Sequence, residues 1–166
     1  MKETTKLILK TIAFSLTLPL FFALILPLII LFYLNFYTFE IFFFNYLGII
    51  LIIIGIAIYS ISCYYFIFYG KGTPSPLDEP KMLITEGIYK YTRNPMYLSG
   101  VLIVLGEAIF FESLMILAYT FLLFVIYHLF IVFYEEPHLI RKYGKLYEEY
   151  MKRTPRWLGI KRNNKL

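Results

Sequence analysis

Three short stretches hold the residues best suited to chemistry. Glu135-Glu136-Pro137-His138 sets two acids side by side where an apolar run ends. The carboxyl end of a helix is already negative, so paired acids there work against the helix dipole. Pro137 also disfavours helical geometry at Glu136. An acid pair placed against local preference calls for a cation: Arg93, Lys71 or a bound ligand. A plain internal ion pair is the simplest case. The second stretch runs from Glu86 to Tyr97 (EGIYKYTRNPMY). Pro95 is suited to the first turn of a helix and Asn94 to its cap. Tyr89, Tyr91 and Tyr97 can stack on a flat ring or sit in an interfacial aromatic belt. The third, Gly70-Lys71-Gly72-Thr73-Pro74, has two glycines that let a ligand approach the backbone and expose amides to an anion. A helix cap followed by a turn uses the same residues. Glu107 and His128 lie inside apolar runs, where ionisable groups are costly and usually functional. Glu107 is near enough to the far interface to snorkel, and a structural hydrogen bond is the plainer role for His128. His128 precedes Glu135 by seven residues, which puts the two on one helix face.

These residues need helices to hold them. Four stretches are long and apolar enough to cross a bilayer: 7–36, 41–69, 95–111 and 113–134, the third of them short. Pro19 and Pro27 predict kinks in the first. Glu112 and Ser113 are the only break between the last two, which predicts a tight helical hairpin capped by Ser113. All 16 basic residues fall into three groups: Lys2, Lys6 and Lys10 before or at the start of the first span, four between the second and third, and nine after the fourth. By the positive-inside rule both termini and the 70–94 loop face the cytoplasm. The expected fold is therefore all-α: a polytopic integral membrane protein of four transmembrane helices and an amphipathic cytoplasmic helix, forming one domain over 1–166.

Composition supports the same class. Apolar residues make up 60% of the 166 and charged residues 16%, against about 45–50% and 25% in soluble proteins. The net charge of +5 sits at membrane edges, so anionic headgroups are the expected partner rather than nucleic acid. Cys63 is the only cysteine, which excludes an internal disulfide and a multi-cysteine zinc site and reads best as a small buried hydrophobe. Lys2, Lys6 and Lys10 precede an apolar stretch too long for a signal peptide, which reads as a retained anchor. In the tail, Leu139, Tyr143, Leu146, Tyr147, Tyr150 and Met151 recur at helical spacing opposite Arg141, Lys142, Lys145, Glu148, Glu149 and Lys152. This predicts an amphipathic helix, weakened at Gly144, that lies along the headgroups or packs on the loop. Loop and tail are too short for a Rossmann domain, so any cofactor must be held by loops and helix ends at the membrane face.

Taken in order, these clusters resemble the isoprenylcysteine carboxyl methyltransferase family and its phospholipid methyltransferase relatives. The resemblance covers residues 70–157 and rests on Leu83-Ile84-Thr85-Glu86-Gly87-Ile88-Tyr89, Arg93-Asn94-Pro95-Met96-Tyr97, Glu135-Glu136-Pro137-His138-Leu139, Tyr143-Gly144-Lys145-Leu146-Tyr147, Tyr150 and Thr154-Pro155-Arg156-Trp157. It implies a buried S-adenosylmethionine site roofed by the loop and tail, with a side opening to lipid. It also implies cofactor contacts at Lys81, Met82, Leu83, Ile84, Tyr89, Asn94, Pro95, Met96, Tyr97 and Glu135. The glycine pair and acid pair of the phospholipid relatives match Gly70 with Gly72 and Glu135 with Glu136. Asn94 stands where His is frequent. Ile131 stands where eukaryotic members carry a substrate-contacting Arg.

The residues suit that cofactor on chemical grounds. Tyrosines and apolar groups suit an adenine, Glu135 suits a ribose diol or ammonium, and Arg93 suits a carboxylate. A carboxylate acceptor needs no base, but an ammonium acceptor must first lose a proton, for which His128 and Glu136 are the candidates. The acceptor is expected to be a lipid or a lipidated small molecule or protein: a prenylcysteine carboxylate by the closest resemblance, or a phospholipid amine. Two other functions compete. One is a membrane reductase of the sterol reductase type, with Arg141, Lys142 and Lys145 around an NADPH 2′-phosphate. The other is a non-enzymatic scaffold.

Overall fold

The computed structural model describes residues 2–34, 36–75 and 77–159, apart from the side chain of Phe42. Asn35, which begins the first connection, and the basic residues Lys161, Arg162 and Lys165 lie outside the described residues. Three helices are long and apolar enough to cross a membrane: Lys2–Tyr33 (α1), Phe43–Phe68, whose α-helical part Leu47–Phe68 is α2, and Leu114–Tyr143. The last divides into α4 (Leu114–Phe130), a π turn (Ile131–Glu135) and α5 (Glu136–Tyr143). Between them lies the shorter apolar helix α3, Pro95–Phe110, and the tail ends in α6, Lys145–Arg153. At 1.5 Å per residue α3 is only about 24 Å long, short of a ~30 Å hydrocarbon core. The chain is a polytopic, all-helical membrane protein.

The two long helices that contain proline share a device. α1 carries a π turn at Phe21–Ile25, two residues before Pro27, and the later π turn ends two residues before Pro137. Proline has no N–H to donate and its ring crowds the carbonyl four residues back. Widening the turn before it relieves both, so each helix continues past its proline. Leu26 N–H reaches back to Phe21 O, and Glu136 N–H to Ile131 O. This corrects the expectation at Pro137. Glu136 keeps helical angles (φ −60°, ψ −46°), and the π turn absorbs the strain instead.

α2 and α3 form the tightest pair, because glycines allow backbone contact where lipid offers no hydrophobic drive to packing. A Cβ on Gly48 would lie 2.3 Å from Gly106 O, and one on Gly106 2.5 Å from Gly48 O. α3 turns into α4 through Glu112 (φ +52°), and Ser113 accepts the Ile116 N–H as the expected cap. The first connection docks on that corner: Phe39 N–H donates to Glu112 O and Ile41 N–H to Glu112 Oε1. Glu107 does not snorkel. It is buried, and its Oε2 has no partner within the protein.

At the basic end the tail folds back onto the 70–94 loop. Gly144 (φ +58°) does more than weaken the amphipathic helix; it splits it into α5 and α6. Leu139, Tyr143, Tyr147, Tyr150 and Met151 pack around Ile84 and Tyr89, whereas Leu146 faces outward. The loop reaches this core through Gly87, whose φ of +60° is unfavourable for residues with a side chain. A Cβ there would also lie 2.1 Å from the Tyr65 ring. Gly87→Ala is expected to lower stability by roughly 1–3 kcal/mol, from left-handed strain plus displacement of Tyr65. Thermal unfolding in detergent measures this, and adding Tyr65→Ala should recover only the steric part.

Candidate active site

Loop, tail and the ends of α3 and α4 converge on a buried polar centre. Glu135, in the π turn, lies beside Tyr97, one turn into α3. Tyr89 lies in the short 3-10 turn Gly87–Lys90, its ring buried. Arg93 sits at the start of α3 with its guanidinium Nη1 2.9 Å from Glu136 Oε1, both side chains being less than a tenth exposed. The Arg93 guanidinium also lies 6.0 Å from the Tyr147 ring centre. Burial pushes the Tyr147 phenol up to about 12 and Tyr89 well above its ordinary value. Both therefore stay neutral and can donate.

This centre is unfinished within the protein. Tyr89 Oη, Arg93 Nε, Arg93 Nη1 and Glu135 Oε2 are all buried without an aligned hydrogen bond, the 2.9 Å ion pair of Nη1 notwithstanding. An unsatisfied buried polar group costs about 1–3 kcal/mol, and a charged one more. Acceptor and donor atoms left open within one cluster are what a polar, charged ligand would satisfy.

The acid pair has divided roles. Glu136 is clamped: Arg156 donates to both of its oxygens, Nε and Nη2 at 2.8 Å each, in addition to Arg93. Glu135 keeps one oxygen open. The chain after α6 is held across the site as a strap. Arg93 N–H donates to Pro155 O, while Thr92 Oγ1 and Asn94 Nδ2 both donate to Arg156 O. Trp157 Nε1 donates to His128 Nδ1 at 3.1 Å and stacks against that ring. His128 and Glu135 thus have different partners, although both lie on the last long helix. Asn94 occupies the cap position of α3, but its side chain ties down the strap and caps nothing.

Gly70 and Gly72 serve the loop's own packing. A Cβ on Gly70 would meet Ile84 and Pro80 at 2.9 Å, and one on Gly72 would meet the Pro80 backbone at 2.6 Å. Their surfaces are covered by the loop and are not open to a ligand. Gly70 O accepts from Lys81 N–H, which sets the course of Lys81, Met82, Leu83 and Ile84. Of these, Ile84 and Leu83 face the core, while Lys81 and Met82 are exposed. Pro95 is buried; Met96 is half-buried, its carbonyl accepting from Ser99. Lys71 is exposed and does not meet the acids.

Four contacts from the tail fix the loop. Tyr143 donates to Pro80 O and Tyr150 to Tyr89 O, each at 2.6 Å, and Glu79 holds both His138 and Lys142. Burial alone would raise the Glu79 carboxyl. Lys142 and His138 outweigh it and hold it below the usual carboxylate range. The anchoring roles of Arg156, Trp157 and Tyr150 were not assigned from sequence. A pair of acids near one buried arginine needs a second cation, and Arg156 beside the chain's single Trp was the available signal.

A family model described as phospholipid methyltransferase matches residues 43–146. The chain belongs to the phospholipid methyltransferase family. It is a membrane methyltransferase of that family, whose members typically use S-adenosylmethionine. No curated protein matches the chain. The matched segment takes in α2 to α5, the loop and the acid pair. It leaves out α1 and the strap around Arg156 and Trp157. The residues weighed for a reductase phosphate pocket do not enclose one: Arg141, Lys142 and Lys145 are exposed, and Lys142 is paired with Glu79.

Proposed function

We propose that the protein transfers a methyl group from S-adenosylmethionine to a lipid acceptor at the cytoplasmic membrane face, with the cofactor held in the Tyr89–Arg93–Tyr97–Glu135 centre. The observation that carries this reading is the set of open buried atoms on Tyr89, Arg93 and Glu135. They match the cofactor's functional groups in type. Glu135 Oε2 can accept from an ammonium or a ribose hydroxyl, Arg93 Nε can donate to a carboxylate, and Tyr89 can donate or stack. Leu83, Ile84, Pro95 and Met96 supply apolar walls. When bound, S-adenosylmethionine supplies a methyl group already activated on a positively charged sulfur.

The protein's part is then to align the two reactants and exclude water, a contribution that can reach roughly 7–11 kcal/mol. Loop and tail do this as a roof, and the clamp of Arg93 and Arg156 on Glu136 keeps the roof closed. Glu136 is poorly suited as a base, because two guanidinium groups stabilise its charged form. His128 is no better suited, because with Nδ1 accepting from Trp157 its other ring nitrogen carries the hydrogen and has no lone pair for a further proton.

The centre favours a phospholipid amine over a prenylcysteine carboxylate. Ile131 is wholly buried and apolar, so the position that the resemblance gives to a substrate-contacting Arg offers a carboxylate acceptor no cation. Transfer of labelled methyl groups to phosphatidylethanolamine and to a farnesylcysteine tests the choice. Labelled phosphatidylethanolamine is the expected product. Label only in the farnesylcysteine ester would reverse the choice of acceptor, and label in neither would remove the activity.

A further inference from the structure

Each of the two proline-bearing long helices frees a backbone carbonyl, and only one of these is given a donor. In α1, Leu26 N–H is drawn to Phe21 O and Pro27 has no N–H. No helical donor therefore reaches Phe22 O in either the α or the π pattern. Tyr119 of α4 supplies one instead, its hydroxyl donating to Phe22 O at 2.9 Å. The last long helix repeats the arrangement. Glu136 N–H is drawn to Ile131 O and Pro137 has no N–H, so Val132 O is freed in the same way. Among the described residues no side chain donates to it. Helical carbonyls point along the axis toward the carboxyl end, which sets Val132 O beside the backbone of Glu136, a residue only 5% exposed. An open carbonyl at the edge of a bilayer, away from bulk water, is costly until a donor meets it.

Glu135 stands one turn on. Helical side chains lean back over the preceding turn, so its carboxylate lies over the turn that carries Val132 O. Its Oε2 is buried and has no partner, and the two nearby guanidinium groups, of Arg93 and Arg156, both meet Glu136. We propose that Val132 O is a positioning group of the methyl-transfer centre and that, with Glu135 Oε2, it receives the N–H groups of one primary ammonium. Two acceptors within one helical turn, one neutral and one negative, call for a cation with several hydrogens to donate. A ribose diol brings donors without charge, and a sulfonium brings charge without donors. Arg93 Nε, buried and open, adds a donor for an anionic group next to that ammonium. S-adenosylmethionine carries its ammonium beside a carboxylate, and phosphatidylethanolamine carries one near a phosphate. That the ammonium belongs to a reactant of methyl transfer rests on the methyltransferase reading; the open carbonyl does not.

Pro137→Ala tests this, because it restores an N–H at the position from which the π pattern serves Val132 O. Calorimetric affinity for S-adenosylmethionine should fall about ten- to a hundredfold, the worth of a hydrogen bond from a charged donor. The empty protein should unfold at the same or a higher temperature. Affinity for the deamino analogue, which keeps the nucleoside and sulfonium, should not change. Pro27→Ala, beside the carbonyl that Tyr119 already caps, should alter neither affinity. If the acceptor lipid supplies the ammonium, cofactor affinity stays as it was. The preference for dioleoylphosphatidylethanolamine over amine-free dioleoylphosphatidylethanol, read by native mass spectrometry, then falls instead. With valine carbonyls isotopically labelled, the infrared amide I band of the wild type should move to lower frequency when the ammonium ligand binds. That movement should be absent in Pro137→Ala. Equal weakening of the cofactor and its deamino analogue would mark a change of shape and overturn the proposal. Unchanged affinity for both cofactor and lipid would overturn it as well. So would an unmoved valine band in wild-type protein saturated with both, a result that leaves the methyltransferase reading standing. Wild-type protein that binds no cofactor would remove that reading, and the lipid arm would then decide the carbonyl.

Discussion

Glu135→Gln is expected to weaken S-adenosylmethionine binding by about 10- to 150-fold, the worth of a charge-assisted hydrogen bond of ~1.5–3 kcal/mol. The same change should leave the empty protein at least as stable as the wild type. The two effects come from one cause. Glu135 is buried, lies beside Tyr97 and has one oxygen, Oε2, without a partner. A carboxylate in that position is a cost to the folded state until a cation or hydroxyl satisfies it. Glutamine keeps the shape but removes the charge. A residue kept for packing would show the reverse pattern, with lower melting temperature and unchanged affinity. Calorimetry and thermal unfolding of the same preparation give both readings.

Glu136→Gln, one residue along, is expected to act oppositely, costing about 3–5 kcal/mol of stability, the usual result of removing one member of a buried ion pair. Arg93 would lose its counter-ion while only 6% exposed, and Arg156 would lose its fork-to-fork partner. Loosening should spread along the strap, since Pro155 and Arg156 carbonyls anchor Arg93, Thr92 and Asn94. Arg156→Ala should cost less, about 1 kcal/mol, because that side chain is 29% exposed and Arg93 still holds the acid. Arg156→Lys should not restore the difference, as a single ammonium cannot reproduce the two-point contact. Thermal unfolding, with protease sensitivity of the tail, checks the ranking. Equal losses for the two positions would contradict a central role for Glu136.

Sequence and structure agree best where the physics is local or coarse. The sorting of Lys and Arg to one end, the apolar lengths, Pro95 opening α3 and Ser113 capping α4 follow from residue type and spacing alone. The grouping of Glu135, Tyr89 and Tyr97 comes from the family resemblance and not from spacing. The division of labour within the acid pair was not legible. Glu135 and Glu136 are chemically equivalent neighbours, and only the π turn forced by Pro137 decides which points to Tyr97 and which to the arginines. Asn94 in the cap position looks like a cap from sequence, yet Arg156 O, which takes its amide, is 62 residues away. Gly70 and Gly72 look equally free for a ligand or for packing, and only the course of Pro80 shows which.

On the proposed reading, a charged, nucleotide-like cofactor is bound where the last long helix leaves the bilayer. Calorimetric titration of S-adenosylmethionine into the detergent-solubilised protein is the decisive measurement. Saturable one-to-one binding is expected, weakened by Glu135→Gln in a protein at least as stable as the wild type. Absence of heat up to millimolar cofactor, in protein that still unfolds cooperatively, would contradict it.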